Sequence, residues 1–572
     1  MSIESNTQWL VHSLEQGPGW RWLNRVLVAV IISAVAILWL LVKFNGFNTP
    51  EAMDQAQIGR QIATGQGYTT IYARPLAMRL MLDSTGKCPD PLPDVSQPPL
   101  GPLINAAVFK IAGTDFTFPA GETVSPGEHA ITTAAFVFLA GALLFGYLLL
   151  RRLFNPAIAA VATGMVAGTD LVWRFTFSGL PQVAMMFFFN GALLALCAAL
   201  EARAGQRPRR ALVLATVAAA GIGIATLGHI IGLAIFAGFL LFILMTFRPA
   251  ALFAACTAIA YAVPLLPWAW HNWRNLGNVL GLPFYELYRP AGTSALALAA
   301  DFEPMLRFDW SGFLRNTAEQ ALAFTGNMPS YIGANVVAAA FFLSLLVQMH
   351  RGWRAAQFRW AVGLAWIGAT AGMIVFGATE PVSANQLQIL FLPLMTGYGL
   401  AFLLSMWDRF DITQPVLRLF FVVVLFALVC IPLVIGLFSR PPRVNWPPYL
   451  PPMITRFEKW LGPDEAMASD IPWATAWYAG RKSLLLPASI EQFEIINAEK
   501  LLGAPLVAIY LTPFSGGSRG YTDIVNGPYR EWARFILREV PQEDLNKWML
   551  KSAVNLPIDG EAVFYADRPR WR

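Results

Sequence analysis

Few residue types in this chain can do chemistry, and those that can lie mostly outside its apolar runs. Asp54 is the first, in Met53-Asp54-Gln55-Ala56-Gln57-Ile58-Gly59-Arg60, just inside a segment that opens with Thr49-Pro50-Glu51. A carboxylate there can take a proton from a hydroxyl as a general base, or hold a divalent cation such as Mg or Mn. It can also do neither and simply complement a helix dipole in water. Arg60, Arg74, Arg79, His229, His271 and Arg274 are the cations on the same side of the topology derived below, and so the candidates for meeting an anion. Asp170 and Glu380 are further acids near run ends, while Asp301, Glu303 and Asp309 occupy a polar loop, where charges are ordinarily solvated. No Walker loop, zinc-protease motif, nucleophile elbow or dinucleotide fingerprint stands in a credible context, which argues against ATP-driven transport.

The elements that must position these residues are membrane helices. With 56% hydrophobic and 13% charged residues over 572 positions and a mean hydropathy of +0.50, the chain is too apolar for a soluble protein, where about 25% of residues are charged. Apolar runs lie at 25–44, 130–150, 156–172, 179–200, 210–228, 230–247, 250–268, 332–349, 359–377, 386–406 and 415–438. Such runs can cross a hydrocarbon core about 30 Å thick, so the expected fold class is a polytopic α-helical membrane protein of about eleven transmembrane helices. The first run follows a mostly polar stretch and precedes no small-residue cleavage site, so it reads as a retained anchor. Cys197, Cys256 and Cys430 fall in apolar runs and only Cys88 in a polar loop, which implies neither a disulfide framework nor a zinc site.

Arginines sit in alternate connections: Arg151 and Arg152, then Arg203, Arg207, Arg209 and Arg210, then Arg248, then Arg351, Arg354 and Arg359, then Arg409 and Arg418. The positive-inside rule makes these connections and the amino terminus cytoplasmic. That asymmetry accounts for the net charge of +6 before any anionic partner does. Membrane lipids are expected partners, and nucleic acid is not. Residues 45–129, 269–331 and everything after Ser439 then lie outside, which in a bacterial inner membrane is the periplasm. The spacing of Ala52, Ala56, Gly59 and Ala63 predicts a helix over Glu51 to Thr64, ended by Gly65-Gln66-Gly67. Domain boundaries follow: a membrane domain over 1–439, a proline-rich linker over 440–452, and a periplasmic α/β domain over 453–572. In the last, apolar stretches at Ser483 to Leu486 and Pro505 to Leu511 alternate with helical patterns at Ile490 to Leu502 and Pro528 to Arg538.

A long first outside loop carrying an acid soon after the first span resembles the GT-C type of membrane glycosyltransferase. The branch is that of dolichyl-phosphate-mannose protein mannosyltransferases and bacterial aminoarabinose transferases. The resemblance rests on Asp54, Gly65-Gln66-Gly67-Tyr68 and Gln97-Pro98-Pro99-Leu100 in the loop. It also rests on Pro267-Trp268-Ala269-Trp270-His271-Asn272-Trp273-Arg274-Asn275 with Gly281-Leu282-Pro283, and on Ser469-Asp470-Ile471-Pro472-Trp473, Trp477-Tyr478-Ala479-Gly480-Arg481 and Leu486-Pro487 in the tail. The sequence departs from the family in its paired loop acids, since Gln55 follows Asp54, and in a later acid, since Ser178-Gly179-Leu180-Pro181-Gln182 stands in its place. The resemblance implies sugar transfer from a polyprenyl-phosphate donor to a lipid, glycan or protein acceptor, with Asp54 as base or metal ligand. Asp170 or Glu380 would be a second acid, and Arg60, Arg74, His229 and Arg274 would bind the donor phosphate. The missing second acid keeps open a non-catalytic subunit of a larger membrane complex; a secondary transporter fits less well, because the spans are nearly free of charge.

Overall fold

The computed structural model describes residues 30, 33–119, 122–290, 292–304, 306–347, 352–378, 380–410, 414–439, 450–512, 521–527, 529–556 and 562–571. Most of the proline-rich segment, 440–449, lies outside the described residues, as do the first 29 residues.

The first apolar run contains α1 (Ser33–Val42), and the loop after it folds as α2 (Pro50–Ala63), the two-residue strand β1 (Tyr72–Ala73), α3 (Pro75–Thr85) and α4 (Leu100–Ala112). The helical bundle follows as α5 (Pro126–Leu153), α6 (Pro156–Ala167), α7 (Asp170–Thr176), α8 (Gln182–Ala204), α9 (Pro208–Thr226), α10 (Gly232–Thr246) and α11 (Ala250–Leu276). It continues through α12 (Trp310–Tyr331), α13 (Val336–Leu346), α14 (Trp353–Phe376), α15 (Leu392–Trp407) and α16 (Pro415–Phe438).

Among the described residues seven helices are long and apolar enough to cross a membrane, or nine if α6 with α7 and α12 with α13 each count as one bent span. The chain is thus a multi-pass membrane protein. The runs at 25–44 and 230–247 fall on the shorter helices α1 and α10. Ends are set by local chemistry: Ser125 and Glu128 form a reciprocal capping box at α5, and Gly277 closes α11 at φ 69°.

The carboxy-terminal region carries β2 (Ala466–Ser469), β3 (Lys482–Leu485), α17 (Ile490–Ala498), β4 (Leu506–Leu511), β5 (Ser552–Asn555) and β6 (Val563–Ala566). One six-stranded sheet runs β1-β3-β2-β4-β6-β5, parallel from β1 through β4 and antiparallel at β4/β6 and β6/β5. Its edge strand β1 comes from the first loop, with Tyr72 opposite Ser483 and Ala73 opposite Leu484.

A buried carboxylate joins loop, bundle and tail. Glu128, in the first turn of α5, accepts from Phe47 N at 3.4 Å, Ser125 N at 2.9 Å, Trp477 Nε1 at 3.2 Å and Tyr478 OH at 2.7 Å. Glu128→Ala strands these donors in a dry interface and is expected to cost at least about 2 kcal/mol. The midpoint of thermal unfolding in detergent should fall by several degrees, and by clearly less for Glu128→Gln, which keeps an acceptor oxygen. Equal midpoints for wild type and Glu128→Ala would contradict this role.

Candidate active site

Asp54 sits on the face of α2 that packs into the protein, and only 1% of it is exposed. It is therefore not a solvated acid. Its Oδ2 accepts from Arg74 Nη2 at 2.5 Å and from Gln97 Nε2 at 2.8 Å, and its Oδ1 accepts from Gln57 Nε2 at 3.0 Å. The guanidinium carbon of Arg74 lies over the Tyr72 ring, 3.9 Å from its centre, and Nη1 is 3.7 Å from Asp94 Oδ1. Burial is the largest single influence and works against the Arg74 charge, yet Asp54, Tyr72 and Asp94 together outweigh it and hold the pKa above the ordinary value. Asp94, buried and beside the Asp54 charge, is pushed above the usual carboxylate range.

The short motifs singled out in the sequence converge here. Gly65 and Gly67 adopt φ of 86° and 76°, conformations that side chains with a Cβ rarely take, and so turn the chain after α2. Tyr68 then donates its hydroxyl to Gln97 O at 2.6 Å, while Gln97 reaches Asp54. From α11, His271 Nε2 is 2.7 Å from Asp94 O, and Leu282 N donates to Val95 O at 2.8 Å, so the 267–283 segment pins the loop that carries Gln97. From the tail, Trp473 edges onto Tyr72.

These groups open on one cavity of about 410 Å³ between the loop, the bundle end and the tail. Its wall includes Glu51, Asp54, Arg74, Gln97, His229 and Glu286. Glu51 precedes Asp54 by three residues on the same helix, spacing that puts both on one face. Desolvation raises its pKa, and the neighbouring Asp54 charge adds to the rise. Burial likewise pushes Glu286 up to about 7. In the sequence Glu51 stands out only as part of Thr49-Pro50-Glu51 at the start of its helix, and Glu286 not at all. The i,i+3 spacing was a signal for the first; the second, in the 3-10 turn Leu282–Tyr288, had none.

The other sequence candidates are spread out. His229 lines the cavity, accepts from Ile231 N at its Nδ1 and contacts Asn385 Oδ1 at 2.9 Å through Nε2, which fixes the Nε2–H tautomer. Burial lowers its pKa to about 4, so near pH 7 it is a neutral donor and not a cation. Arg60 lies outside the cavity wall. Its two terminal nitrogens donate to Trp477 O at 3.0 Å and Ala476 O at 2.7 Å, tying α2 to the tail. Arg274 is exposed at the end of α11, and Arg79 pairs with Asp83 at 3.2 Å. Asp170 is at the break between α6 and α7, against α16, and Glu380 is exposed; neither lines the cavity. Asp309 caps α12 through Ser311 N and Gly312 N.

A divalent cation does not fit the donor set at Asp54. The carboxylate is already met by a guanidinium and two amide N–H groups, and no group of three or more His, Cys, Asp or Glu that could hold a metal occurs among the described residues.

No family model matches the chain, and no curated protein matches it in sequence. Solved structures do match in fold. ArnT from Cupriavidus metallidurans bound to undecaprenyl phosphate superposes with a TM-score of 0.58 at 12% identity, covering 95% of this chain and 98% of that one. The archaeal oligosaccharyltransferase AglB from Archaeoglobus fulgidus, in complex with an inhibitory peptide and a dolichol-phosphate, gives 0.54 at 13%, covering 96% and 75%. The Archaeoglobus fulgidus oligosaccharyltransferase complex with Zn and sulfate gives 0.54 at 14%, covering 88% and 71%. The chain has the GT-C fold that these proteins share.

The Asp54–Arg74 pair is the interaction most open to test. Arg74→Met leaves a buried carboxylate uncompensated and is expected to cost about 3–5 kcal/mol. Adding Asp54→Leu removes the stranded charge, so the double variant should lose less than the sum of the two single losses, read from unfolding midpoints in detergent. Strictly additive losses would mean the two charges do not meet.

Proposed function

We propose that this chain is a membrane glycosyltransferase that moves a sugar from a polyprenyl-phosphate donor to an acceptor hydroxyl at the Asp54 cavity. The carrying observation is that a carboxylate pair, Asp54 and Glu51, and an oriented guanidinium, Arg74, share one cavity in a GT-C fold. Two structures of that fold hold undecaprenyl phosphate and dolichol-phosphate, which favours the same donor class here. The arginine asymmetry supports an orientation with the cavity opposite the cytoplasm, which in a bacterial inner membrane is the periplasmic face.

In this reading Arg74 receives the donor phosphate while Asp54 holds the guanidinium in place over Tyr72. As the phosphate draws the Arg74 guanidinium away, Asp54 Oδ2 is freed from that contact and accepts the proton of the attacking hydroxyl. The bond from anomeric carbon to phosphate oxygen breaks as the bond to the acceptor oxygen forms, and the phosphate leaves with the bonding electron pair. Glu51 is the second acid. His229, its one N–H given to Asn385, shapes the wall without adding charge, and Arg60 and Trp473 seat the tail over the site for acceptor docking.

The rival reading, a non-catalytic subunit of a larger membrane complex, draws on the saturation of Asp54 by three donors, which suits a structural ion pair as well as a base. Transfer assays in proteoliposomes separate the two. Asp54→Asn should lower the rate by a factor of about 10² to 10⁴ in protein that still shows a cooperative unfolding transition. Glu51→Gln, which breaks no ion pair, should lower it while keeping the wild-type midpoint. Wild-type protein that transfers nothing from any polyprenyl-phosphate sugar, and co-purifies with a complex, would give the rival first place.

Glu286 adds a pH dependence of definite sign. Its pKa of about 7 keeps it mostly neutral below that pH and charged above it. Each added negative charge in the wall opposes an anionic donor, so the KM for donor should rise as pH passes through about 7. Glu286→Gln should flatten that rise. A KM profile identical in wild type and variant would rule this group out.

A further inference from the structure

The opposite end of the bundle holds a second cavity, of about 420 Å³. α8 ends there at Ala204, α9 begins there at Pro208, α10 runs out into Phe247 and Arg248, and α11 and α14 begin there. The same bundle presents Gln182, Gly228 and Phe376, from the other ends of α8, α9 and α14, to the Asp54 cavity, so the two cavities are separated by the length of the helices.

The chemistry of this second cavity is amphipathic and one-signed. Phe247, Phe253 and Trp353 give it apolar walls, while Arg203 and Arg248 bring cations to it and Gln357 adds an amide. The Arg203 guanidinium lies 5.9 Å from the Phe247 ring centre and makes no ion pair or hydrogen bond among the described residues. Among the described residues Arg248 spends only Nη1, on Leu244 O at 2.8 Å and Phe247 O at 3.0 Å. The acid Glu201 is already shared between Arg152 at 3.9 Å and Arg354 at 3.2 Å. On α10 and α11, Leu244, Met245 and Leu252, within three residues of the cavity-lining Phe247 and Phe253, are exposed apolar side chains.

Membrane topology calls for arginines at these helix ends; it does not call for an aromatic-walled cavity between five helices with two of those arginines turned to it. We propose that this cavity is a specific site for an anionic phospholipid. The lipid phosphate would sit between Arg203 and Arg248, the glycerol backbone against Phe247 and Trp353, and the acyl chains along the exposed faces of α10 and α11. The apolar continuation favours a lipid headgroup over a free anion.

Native mass spectrometry of the full chain, released from nanodiscs of mixed phosphatidylglycerol and phosphatidylcholine, tests the site. Wild type should retain one phosphatidylglycerol more than Arg203→Gln/Arg248→Gln, and titration should show binding about thirtyfold weaker in the double variant, as two membrane-surface cations imply. Arg307→Gln/Arg315→Gln, remote from the cavity, should bind as wild type does. Should the double variant not fold, the single variants Arg203→Gln and Arg248→Gln decide, each expected to weaken binding about fivefold, with Arg203→Lys near wild type. Equal retention in wild type and the glutamine variants would overturn the proposal. So would equal retention of phosphatidylcholine, and displacement by millimolar inorganic phosphate would assign a free-anion site instead.

Discussion

A charge pair buried at the edge of the membrane domain is the constraint around which the first loop is built. Removing a carboxylate and a guanidinium from water costs several kcal/mol per ion before their attraction is counted. The pair is tolerable only when its geometry is tight and the remaining lone pairs are met. For Asp54 and Arg74 that condition explains otherwise unrelated features: the Gly65-Gln66-Gly67 turn, the Tyr72 platform, the Gln57 and Gln97 amides, and the anchoring of residues 94–97 by His271. A loop that had only to cross the membrane surface would need none of them.

The same pair sets what the cavity can do. With Asp54 matched by Arg74 and His229 neutral, the wall carries more acid than base once Glu51 and Glu286 are ionised. An anionic donor is therefore welcome chiefly at the Arg74 edge, and best when Glu286 holds its proton. The tail takes part through covalent neighbours of the site rather than as a separate lid. β1 follows directly from the turn after α2 and pairs with β3, and Arg60 on α2 clasps the Ala476 and Trp477 carbonyls. Movement of the tail would thus be felt at Asp54 through α2 and β1.

Much of the scaffold was legible in the sequence because its signals are local. Thr49-Pro50-Glu51 and Gly65 bound a helix expected over Glu51 to Thr64 and observed at Pro50–Ala63. The apolar stretches at Ser483 to Leu486 and Pro505 to Leu511 became β3 and β4. The helix expected over Pro528 to Arg538 is observed, in its described part, as a 3-10 turn at Arg530–Trp532 running into a short α-helix at Ala533–Ile536. The site was less legible because its partners are far apart in the chain. Asp54 was visible, but its pairing with Arg74 requires the Gly65–Gly67 turn, and Glu286 arrives from beyond nine further helices, α3 to α11. His229 looked like a cation by residue type; only burial and the Ile231 amide make it neutral. Arg60 looked like an anion ligand until the tail, more than 400 residues on, claimed both terminal nitrogens.

The central claim is that Arg74 in the Asp54 cavity receives a lipid-linked phosphate. Cryo-electron microscopy of the full chain in nanodiscs with added undecaprenyl phosphate tests it most directly. The account predicts phosphate density within hydrogen-bond distance of the Arg74 guanidinium, with the polyprenyl tail leaving the cavity between bundle helices and the Asp54–Arg74 contact lengthened. Undecaprenyl phosphate bound elsewhere on the protein, with the Asp54–Arg74 contact unchanged and the cavity empty, would contradict it.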